Sequence, residues 1–511
     1  MKVNGIVQGV GFRPFVFQLA QKYGLRGEVA NTSSGVSIHV EGLAEHVTSF
    51  ETDLATEAPP LAYIVDISSQ TQTVKHYADF AIVKSQGESE MSTLISPDVS
   101  VCDDCLAELL DPGDRRYRYP FINCTNCGPR YTIIDDIPYD RPKTSMRHFN
   151  MCGPCQAEYD DPAKRRFHAQ PNAGVDCGRQ VGLFDNRKNE IGKQDPIAKA
   201  VELLKQGNIL AIKGLGGYHL AADATNTEAV MRLRRRKLRE EKPFAIMSAD
   251  LATICRYAAV NSKEEQLLAS IQRPIVLLRK KTPNFISDQV APRNNYFGVM
   301  LPYTPLHYLL LKQDITSLVM TSGNMSEEPI AIDNDDAFER LAAIADYFLV
   351  HDRDIYLRSD DSIVRHIAGA ERLIRRSRGF VPIPVFLKND VPPILACGAE
   401  LKNTICITKQ NKAFLSQHIG DLENIATYDF FKLTVDHLKR ILGINPEIIA
   451  CDMHPDYLST QFAEAETTIP NIQVQHHHAH IVSCMAEHKM EGEVIGLSFD
   501  GTGYGTDGSL W

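Results

Sequence analysis

Seven cysteines at regular spacing constrain this chain more than any other feature. Cys102 and Cys105 form one CxxC pair, Cys124 and Cys127 a second, Cys152 and Cys155 a third, and Cys177 follows alone. A shift of fifty positions lays the first part on the second. Cys102, Cys105, Glu108, Asp111, Pro112, Arg115, Arg116 and Cys127 fall on Cys152, Cys155, Glu158, Asp161, Pro162, Arg165, Arg166 and Cys177. The stretch is an internal repeat, and each copy reads as one metal-binding unit. Two intervening residues let both thiolates of a CxxC turn face one ion. Two such turns complete a tetrahedron around Zn2+, and the metal replaces a core too small to fold alone. The first copy is complete, with Cys102, Cys105, Cys124 and Cys127 as ligands. In the second, Gly174 stands where Cys124 would repeat. Glycine has no donor atom, so Cys152, Cys155 and Cys177 take a fourth ligand from His148, His168 or Asp176, or the site is weak or empty. Disulfides are the competing reading; they need an oxidising compartment, and nothing in the chain argues for one.

At 511 residues the chain exceeds one core, so three or more domains are expected. A net charge of −10 argues against a wholesale nucleic-acid binder, and no nucleic-acid partner is expected. No uninterrupted apolar run is long enough to span a membrane. The N-terminus lacks the basic start, apolar middle and small-residue cleavage site of a signal peptide. The expectation is a cytoplasmic protein with reduced thiols, which agrees with zinc.

The first eighty or so residues open with Gly5-Ile-Val-Gln8-Gly9-Val10-Gly11-Phe12-Arg13. A short strand runs into a glycine loop and then an apolar-periodic helix ending near Tyr23-Gly24. Such a loop lets backbone N–H groups converge on an anion at a helix N-terminus, with Arg13 placed to fork onto a phosphate or carboxylate. On the residues alone, a tight turn with a surface arginine serves as well. Strand-like Gly27–Asn31 and Gly35–Glu41, a helical stretch and a further strand suggest a small βαββαβ sandwich. Val7 to Arg13, followed by Gly24-Leu-Arg-Gly27-Glu-Val-Ala-Asn31, resembles the acylphosphatases. The resemblance implies that Arg13 holds the substrate phosphate, that Asn31 orients the attacking water, and that a carboxylic–phosphoric anhydride is hydrolysed without a covalent nucleophile.

Ser85–Ser100 reads as a linker, and the chain after Cys177 reads as polar to about Asp195. A helix-period stretch then runs from Pro196 to Leu204, Gly207 stops it, and Ile209–Ile212 is a buried-strand candidate. Lys213-Gly-Leu-Gly-Gly-Tyr-His219 follows. Arg232, Arg234, Arg235, Arg236, Lys237, Arg239 and Lys242 place seven cations within eleven residues. Such a run is a solvated helix face, a nucleic-acid patch or, in this acidic chain, a mount for a concentrated anion such as a nucleotide triphosphate. Val319-Met-Thr-Ser322-Gly-Asn324 reads as a strand ending in a polar turn able to reach the same ligand. Lys237-Leu-Arg239 with the distant Ser322-Gly-Asn324 resembles the signature of the YrdC/Sua5 family, which binds ATP and makes a carbamoyl-type adenylate. That implies a nucleotide, with its Mg2+, surrounded by Lys237, Arg239, Lys242, Ser322 and Asn324, with Lys213, Arg376 and Ser377 as additions.

Gly379–Pro393 contains four prolines and reads as a boundary. Beyond it stand His476-His477-His478-Ala-His480 and Phe499-Asp500-Gly501-Thr502-Gly503. His476 and His480 share a helix face and could grip one metal; a polar surface tract and a turn aspartate are the plain alternatives. The pattern resembles the Kae1/TsaD carbamoyltransferases of the actin-like superfold. The resemblance implies iron or another divalent metal on His476, His480 and Asp500, and phosphate at Gly501, Thr502 and Gly503.

Four modules in this order resemble one family, the HypF-type carbamoyltransferases of NiFe-hydrogenase maturation. The fold implied is multidomain α+β: a ferredoxin-like acylphosphatase domain at 1–85, tandem zinc-finger repeats at 98–182, a YrdC-like α/β domain at 194–385, and the N-terminal half of a Kae1-like domain at 392–511. The resemblance further implies carbamoyl phosphate as substrate, a carbamoyl-adenylate intermediate, and a HypE-type acceptor with a C-terminal cysteine. Met1 falls inside the first strand and Trp511 follows the last glycine loop, so a piece of a longer protein is expected. A threonylcarbamoyl-adenylate synthase for tRNA modification shares the last two modules but not the first two. A zinc-ribbon nucleic-acid or scaffold protein is the non-enzymatic alternative.

Overall fold

The computed structural model describes residues 1–32, 35–83, 94–137, 139–311, 315–325 and 328–511. Of the linker expected over Ser85–Ser100, residues 85–93 lie outside this description. Among the described residues no helix is long and apolar enough to cross a membrane.

The N-terminal unit has the expected βαββαβ order. Strand β1 (Lys2–Ile6) leads into helix α1 (Phe12–Lys22), β2 (Arg26–Thr32), β3 (Gly35–Glu41), α2 (Ala44–Thr56) and β4 (Tyr63–Ser68). The sheet order is β4-β1-β3-β2, and β5 (Phe80–Ile82) adds a parallel edge beside β2. Helix α1 buries Phe12, Val16, Leu19 and Ala20, spaced as one face of a 3.6-residue helix, over Val29, Val36 and Ile38 of the sheet.

Each cysteine repeat folds the same way. Cys102 precedes helix α3 (Asp103–Leu110), and Cys152 precedes α4 (Gly153–Asp160). The equivalent residues Arg118 and His168 both take the left-handed conformation, with φ of 55° and 53°. The two copies interlock through arginines. Arg116 of the first reaches Glu158 and the Ala173 carbonyl of the second, while Arg166 of the second reaches Glu108 and the Asn123 carbonyl of the first. Both guanidiniums are buried, so each copy satisfies charges that the other leaves inside.

A large mixed sheet follows. Its central run is Ile275–Lys280, Tyr296–Met300, Ala245–Ser248, Ser317–Ser322, Tyr218–Asp223, Leu210–Lys213 and Tyr347–His351. The stretch after Cys177, read as polar, is in part a strand. Val181–Asp185 pairs antiparallel with Tyr347–His351, because Leu183 points into the core while a turn at Asp185–Asn189 returns the chain. The last section forms a five-stranded sheet whose centre, Ile394–Ala396 beside Ile448–Asp452, is parallel.

The finger repeats are wedged between the other units and share their cores. Tyr131 and Ile134 pack in one cluster with Val3 and Phe12 of the first sheet and Phe431 and Ile449 of the last. Leu109 and Ile122 pack with Leu183, Ile197 and Leu310 of the large sheet. The first cavity and the junction of the fingers with the large sheet therefore each have walls from two units.

Candidate functional sites

The glycine loop between β1 and α1 opens on a cavity of about 410 Å3. Gly9 and Gly11 have φ of 71° and 75°, in the left-handed region that glycine adopts freely. Gly11 is required twice over, since a Cβ there would meet Thr125 Oγ1 of the first finger at 2.8 Å. Gln8 pins the loop by donating Nε2 to the carbonyls of Thr32 and Gly35, 2.8 and 2.7 Å away. Arg13, in the first turn of α1, and Asn31, near the end of β2, both line the cavity. Asn31 Oδ1 is buried with no hydrogen-bond partner. Burial lowers the Arg13 pKa against the opposing pull of Asp140 and Tyr159. The structure thus brings together a glycine loop, a guanidinium and a buried amide oxygen.

Sequence reasoning missed the roof of this cavity. Thr125, Arg130, Tyr139, Asp140, His168 and Gln170 come from the finger repeats and close it from above. Of these, only His168 stands out in the sequence, as a candidate fourth ligand of the second cysteine cluster. His168 is not beside the second cysteine cluster; it stacks on Phe167 at 4.1 Å and on Tyr159 at 5.1 Å and faces the Arg13 cavity.

The four thiols Cys102, Cys105, Cys124 and Cys127 converge, with all sulfurs within 4.8 Å of one another and none in a disulfide. Cys102 and Cys124 are 3.6 Å apart and Cys124 and Cys127 3.8 Å. A tetrahedron with Zn–S bonds of ~2.3 Å has edges of about 3.8 Å, so the donor set fits zinc. Cys152, Cys155 and Cys177 form a second cluster of three. Neither His148, His168 nor Asp176 joins it among the described residues. Instead Arg115 sits at its edge, donating from Nη1 to Cys155 Sγ at 3.4 Å and from Nη2 to Glu158 at 2.7 Å. Arg165 mirrors this at the first cluster, 3.0 Å from Cys105 Sγ. The arginines crossing between copies offset thiolate charge.

Gly174 approaches the second cluster closely: a Cβ there would stand 3.4 Å from Cys155 Sγ and 3.3 Å from the movable end of Arg115. Protein prepared without chelators should hold one zinc tightly and lose a second first to a metallochromic chelator. Gly174→Cys should raise retention of the second ion. Equal retention of both in the parent would show that a fourth ligand already completes the second site.

In the large sheet, Lys237 follows the helix Thr227–Arg236 and is buried. Its Nζ donates to the Ser322 carbonyl at 2.8 Å, to Asn324 Oδ1 at 2.7 Å and to the Asn324 carbonyl. Ser322 Oγ donates to the same Oδ1 at 2.7 Å. The Lys-x-Arg and Ser-x-Asn elements, 85 residues apart in sequence, thus meet. Burial first, then Arg239 and Lys242, pushes Lys237 down to about 7. Arg239 lies over Phe244 and donates to the Lys242 and Pro243 carbonyls. Lys242 is exposed.

Much of the cation run has another occupation. Arg234 donates to the carbonyls of Gln289, Arg239 and Glu240, Arg236 pairs with Asp346 at 2.7 Å, and Arg232 bonds the Gly207 carbonyl. These arginines tie their helix to its surroundings. Arg376 donates to the carbonyls of Phe380 and Ile383, and Ser377 is buried with its N–H on Ser362 Oγ. Lys213 donates to Asn334 Oδ1 and the His351 carbonyl and faces the fingers. Asp361, which no sequence signal marked, joins His219 at 3.2 Å and Arg378 at 2.7 Å.

In the last section His476 begins the helix His476–Glu487. His476 Nε2 lies 3.2 Å from His480 Nε2 and 3.1 Å from Asp500 Oδ2, which is 3.5 Å from His480 Nε2. Asp452, at the end of its strand, accepts from His476 Nδ1 at 2.6 Å and fixes the ring so that Nε2 faces the cluster. His477 reaches the other Asp500 oxygen at 2.8 Å. These donors fit a divalent metal bound through imidazole and carboxylate. Asp452 and His477 were not singled out from sequence; a carboxylate closing an apolar strand was the available signal. Gly503 packs on the His477 ring, where a Cβ would come within 2.8 Å. A Cβ at Gly501 would meet nothing within 4 Å, and Thr502 beside it is exposed. Ile495, Leu497 and Phe499 are 95, 72 and 91% exposed.

Family comparisons follow these units. The acylphosphatase family matches residues 1–82, and the HypF finger matches 101–134 and 151–183. The Sua5/YciO/YrdC family, described as telomere recombination, matches 202–377, and the HypF Kae1-like domain matches 389–487. Carbamoyltransferase HypF2 of Cupriavidus necator is 47% identical over 536 residues, covering 100% of this chain and 66% of its own. Carbamoyltransferase HypF of Synechocystis is 47% identical, covering 100% and 67%. The chain thus spans about two thirds of the length of these relatives. Among solved structures, full-length HypF in a phosphate- and nucleotide-bound form superposes with a TM-score of 0.93 at 52% identity, over 100% of this chain and 67% of that one. HypF of T. kodakarensis gives 0.89 at 45%, over 100% and 66%.

Proposed function

The chain belongs to the HypF family of carbamoyltransferases, and on that premise we propose that it works on carbamoyl phosphate and ATP in NiFe-hydrogenase maturation. The observation that carries the reading is the enclosed cavity in which Arg13 and Asn31 meet the glycine loop under a roof of finger residues. Carbamoyl phosphate enters with its phosphate on the loop N–H groups and the Arg13 guanidinium. Asn31 Oδ1, buried without a partner, accepts a hydrogen bond from the attacking water and aims it at the anhydride. Water adds at phosphorus, the bridging P–O bond breaks, carbamate leaves with the bridging oxygen, and the water oxygen stays in the inorganic phosphate as its protons pass to solvent. Arg13 is preorganised for the charge carried by the phosphoryl oxygens in the transition state.

Carbamate then attacks the α-phosphate of ATP in the large-sheet unit, giving carbamoyl-adenylate and pyrophosphate. Lys237, Arg239 and Lys242 face the phosphates, and Ser322 and Asn324 hold Lys237 in place. Mg2+ would travel with the nucleotide and neutralise part of its charge. The last unit would hold a divalent metal through His476, His480 and Asp500, as a Lewis acid for passing the carbamoyl group from the adenylate, with release of AMP, to the C-terminal cysteine of a HypE-type protein. Carbamate is unstable in water, and performing the steps within one chain limits its loss.

The deciding experiment is ATP–pyrophosphate exchange with and without carbamoyl phosphate. Exchange that requires carbamoyl phosphate is the expected result. Exchange driven by threonine and bicarbonate instead would favour a threonylcarbamoyl-adenylate synthase. No exchange together with salt-sensitive nucleic-acid binding would favour the zinc-ribbon scaffold.

A further inference from the structure

We propose that the junction between the finger repeats and the large sheet holds a binding site for a small carboxylate-type monoanion, formed by Arg179, Lys213, His351 and Arg353. All four line one cavity of about 40 Å3. They are 3, 3, 4 and 1% exposed, respectively. Such burial of basic groups demands acceptors, yet several donors have none. Arg353 gives Nη2 to the Leu215 carbonyl at 3.3 Å, while its Nε and Nη1 have no partner. Arg179 stacks on Phe121 at 4.6 Å and gives Nη2 to the Phe121 carbonyl at 3.4 Å, while its Nε has no partner. His351 Nε2 lies 3.3 Å from the Gly214 carbonyl, and its Nδ1 has no partner.

Asp354 attracts both Arg353 and Lys213 but forms no ion pair with either among the described residues, and Asp98 and Asp352 are engaged elsewhere. Asp98 accepts from the Arg130 N–H and from the N–H and hydroxyl of Thr132. Asp352 accepts from the Gln180 N–H. Among the described residues neither arginine nor Lys213 forms an ion pair with a carboxylate. Burial first, and mutual repulsion after it, presses Arg353 down to about 9 and Lys213 to about 8. A bound anion would relieve both effects.

Position and size narrow the ligand. Lys213 and His351 end two neighbouring parallel strands, and ligands of open α/β sheets bind outside such carboxyl ends. One water takes ~10–15 Å3 of such space, so the cavity has room for a few heavy atoms and not for a nucleotide. Its remaining walls include Val99, Val101 and Leu306, which favour one charge over two. A planar carboxylate offers two oxygens to forked guanidinium donors. Bicarbonate, carbamate and formate share this chemistry.

The site stands apart from the carbamoyl-phosphate reading, because its test needs neither nucleotide nor carbamoyl phosphate. The full chain is titrated with 13C-bicarbonate at constant ionic strength, followed by carbon NMR and melting temperature, with formate as competitor. Saturable binding displaced by formate is expected, unchanged by Arg13→Ala and weakened about tenfold or more by Arg353→Met. Arg179→Met, which keeps its stem on Phe121, reads the same loss if Arg353→Met does not fold. Absence of saturable binding, equal binding in Arg179→Met and the parent, or displacement by inorganic phosphate but not formate would each overturn the proposal. Loss of the effect in Arg13→Ala would assign it to the first cavity and overturn it too.

Discussion

Arg13→Ala should cut phosphate release from carbamoyl phosphate by about 100-fold while leaving the fold intact. A forked charge-assisted contact to a buried phosphate contributes on the order of 2–3 kcal/mol, and each ~1.4 kcal/mol is a factor of ten in rate. The fold should survive because the guanidinium makes no hydrogen bond or ion pair with a described residue, and burial already works against its charge. Carbamoyl-phosphate-dependent ATP–pyrophosphate exchange should fall in step, since its carbamate comes from this site. Phosphate release at the parent rate, in a variant with unchanged circular dichroism, would show that the loop is a turn and no more.

Lys237→Ala should separate the two activities: exchange falls about 100-fold or more, and hydrolysis of carbamoyl phosphate continues. Asn324→Ala should follow it, because Asn324 Oδ1 holds the amine at 2.7 Å. Parallel loss of both activities in folded Lys237→Ala or Asn324→Ala would contradict the division between units. The amine also makes a pH prediction. Burial, with Arg239 and Lys242 adding to it, places its pKa near 7 in the protein. At pH 8 the free protein therefore carries it mostly neutral. A polyphosphate raises that pKa, so ATP binding at pH 8 should take up protons, and uptake should shrink as the pH falls below about 6. Calorimetry in two buffers of different ionisation enthalpy reads this directly; zero uptake at pH 8 would mean Lys237 does not face the phosphates.

The units of this protein were legible because their signals are local. CxxC pairs repeat at fixed offset because the turn and the metal require them. The βαββαβ order follows from alternating periods of two and 3.6 in successive stretches. Ser322 and Asn324 were readable beside Lys237 only through resemblance, since nothing in spacing brings residues 85 apart together. The cation run shows where local reading fails. Its charges look alike in sequence, but the structure divides them: Arg234 and Arg236 are tied to carbonyls and Asp346, and Lys237 is turned to the Ser-x-Asn corner.

What the sequence determined by itself is the set of units and their chemistry: a glycine loop ending in Arg13, thiols in fours and threes, and a histidine pair on one helix face. What only the tertiary structure decided is which units share a wall. His168 leaves the cysteines for the Arg13 cavity, Arg115 and Arg165 cross between repeats, and Asp452 reaches His476 across 24 residues of chain. Arg179 and Arg353 meet beside Lys213 only after the fingers dock on the large sheet. The physical reason is that these contacts join charged groups far apart in sequence inside a shared core. Their pairing is set by burial, which favours an acceptor for a buried donor, and no period in the chain records which group supplies it.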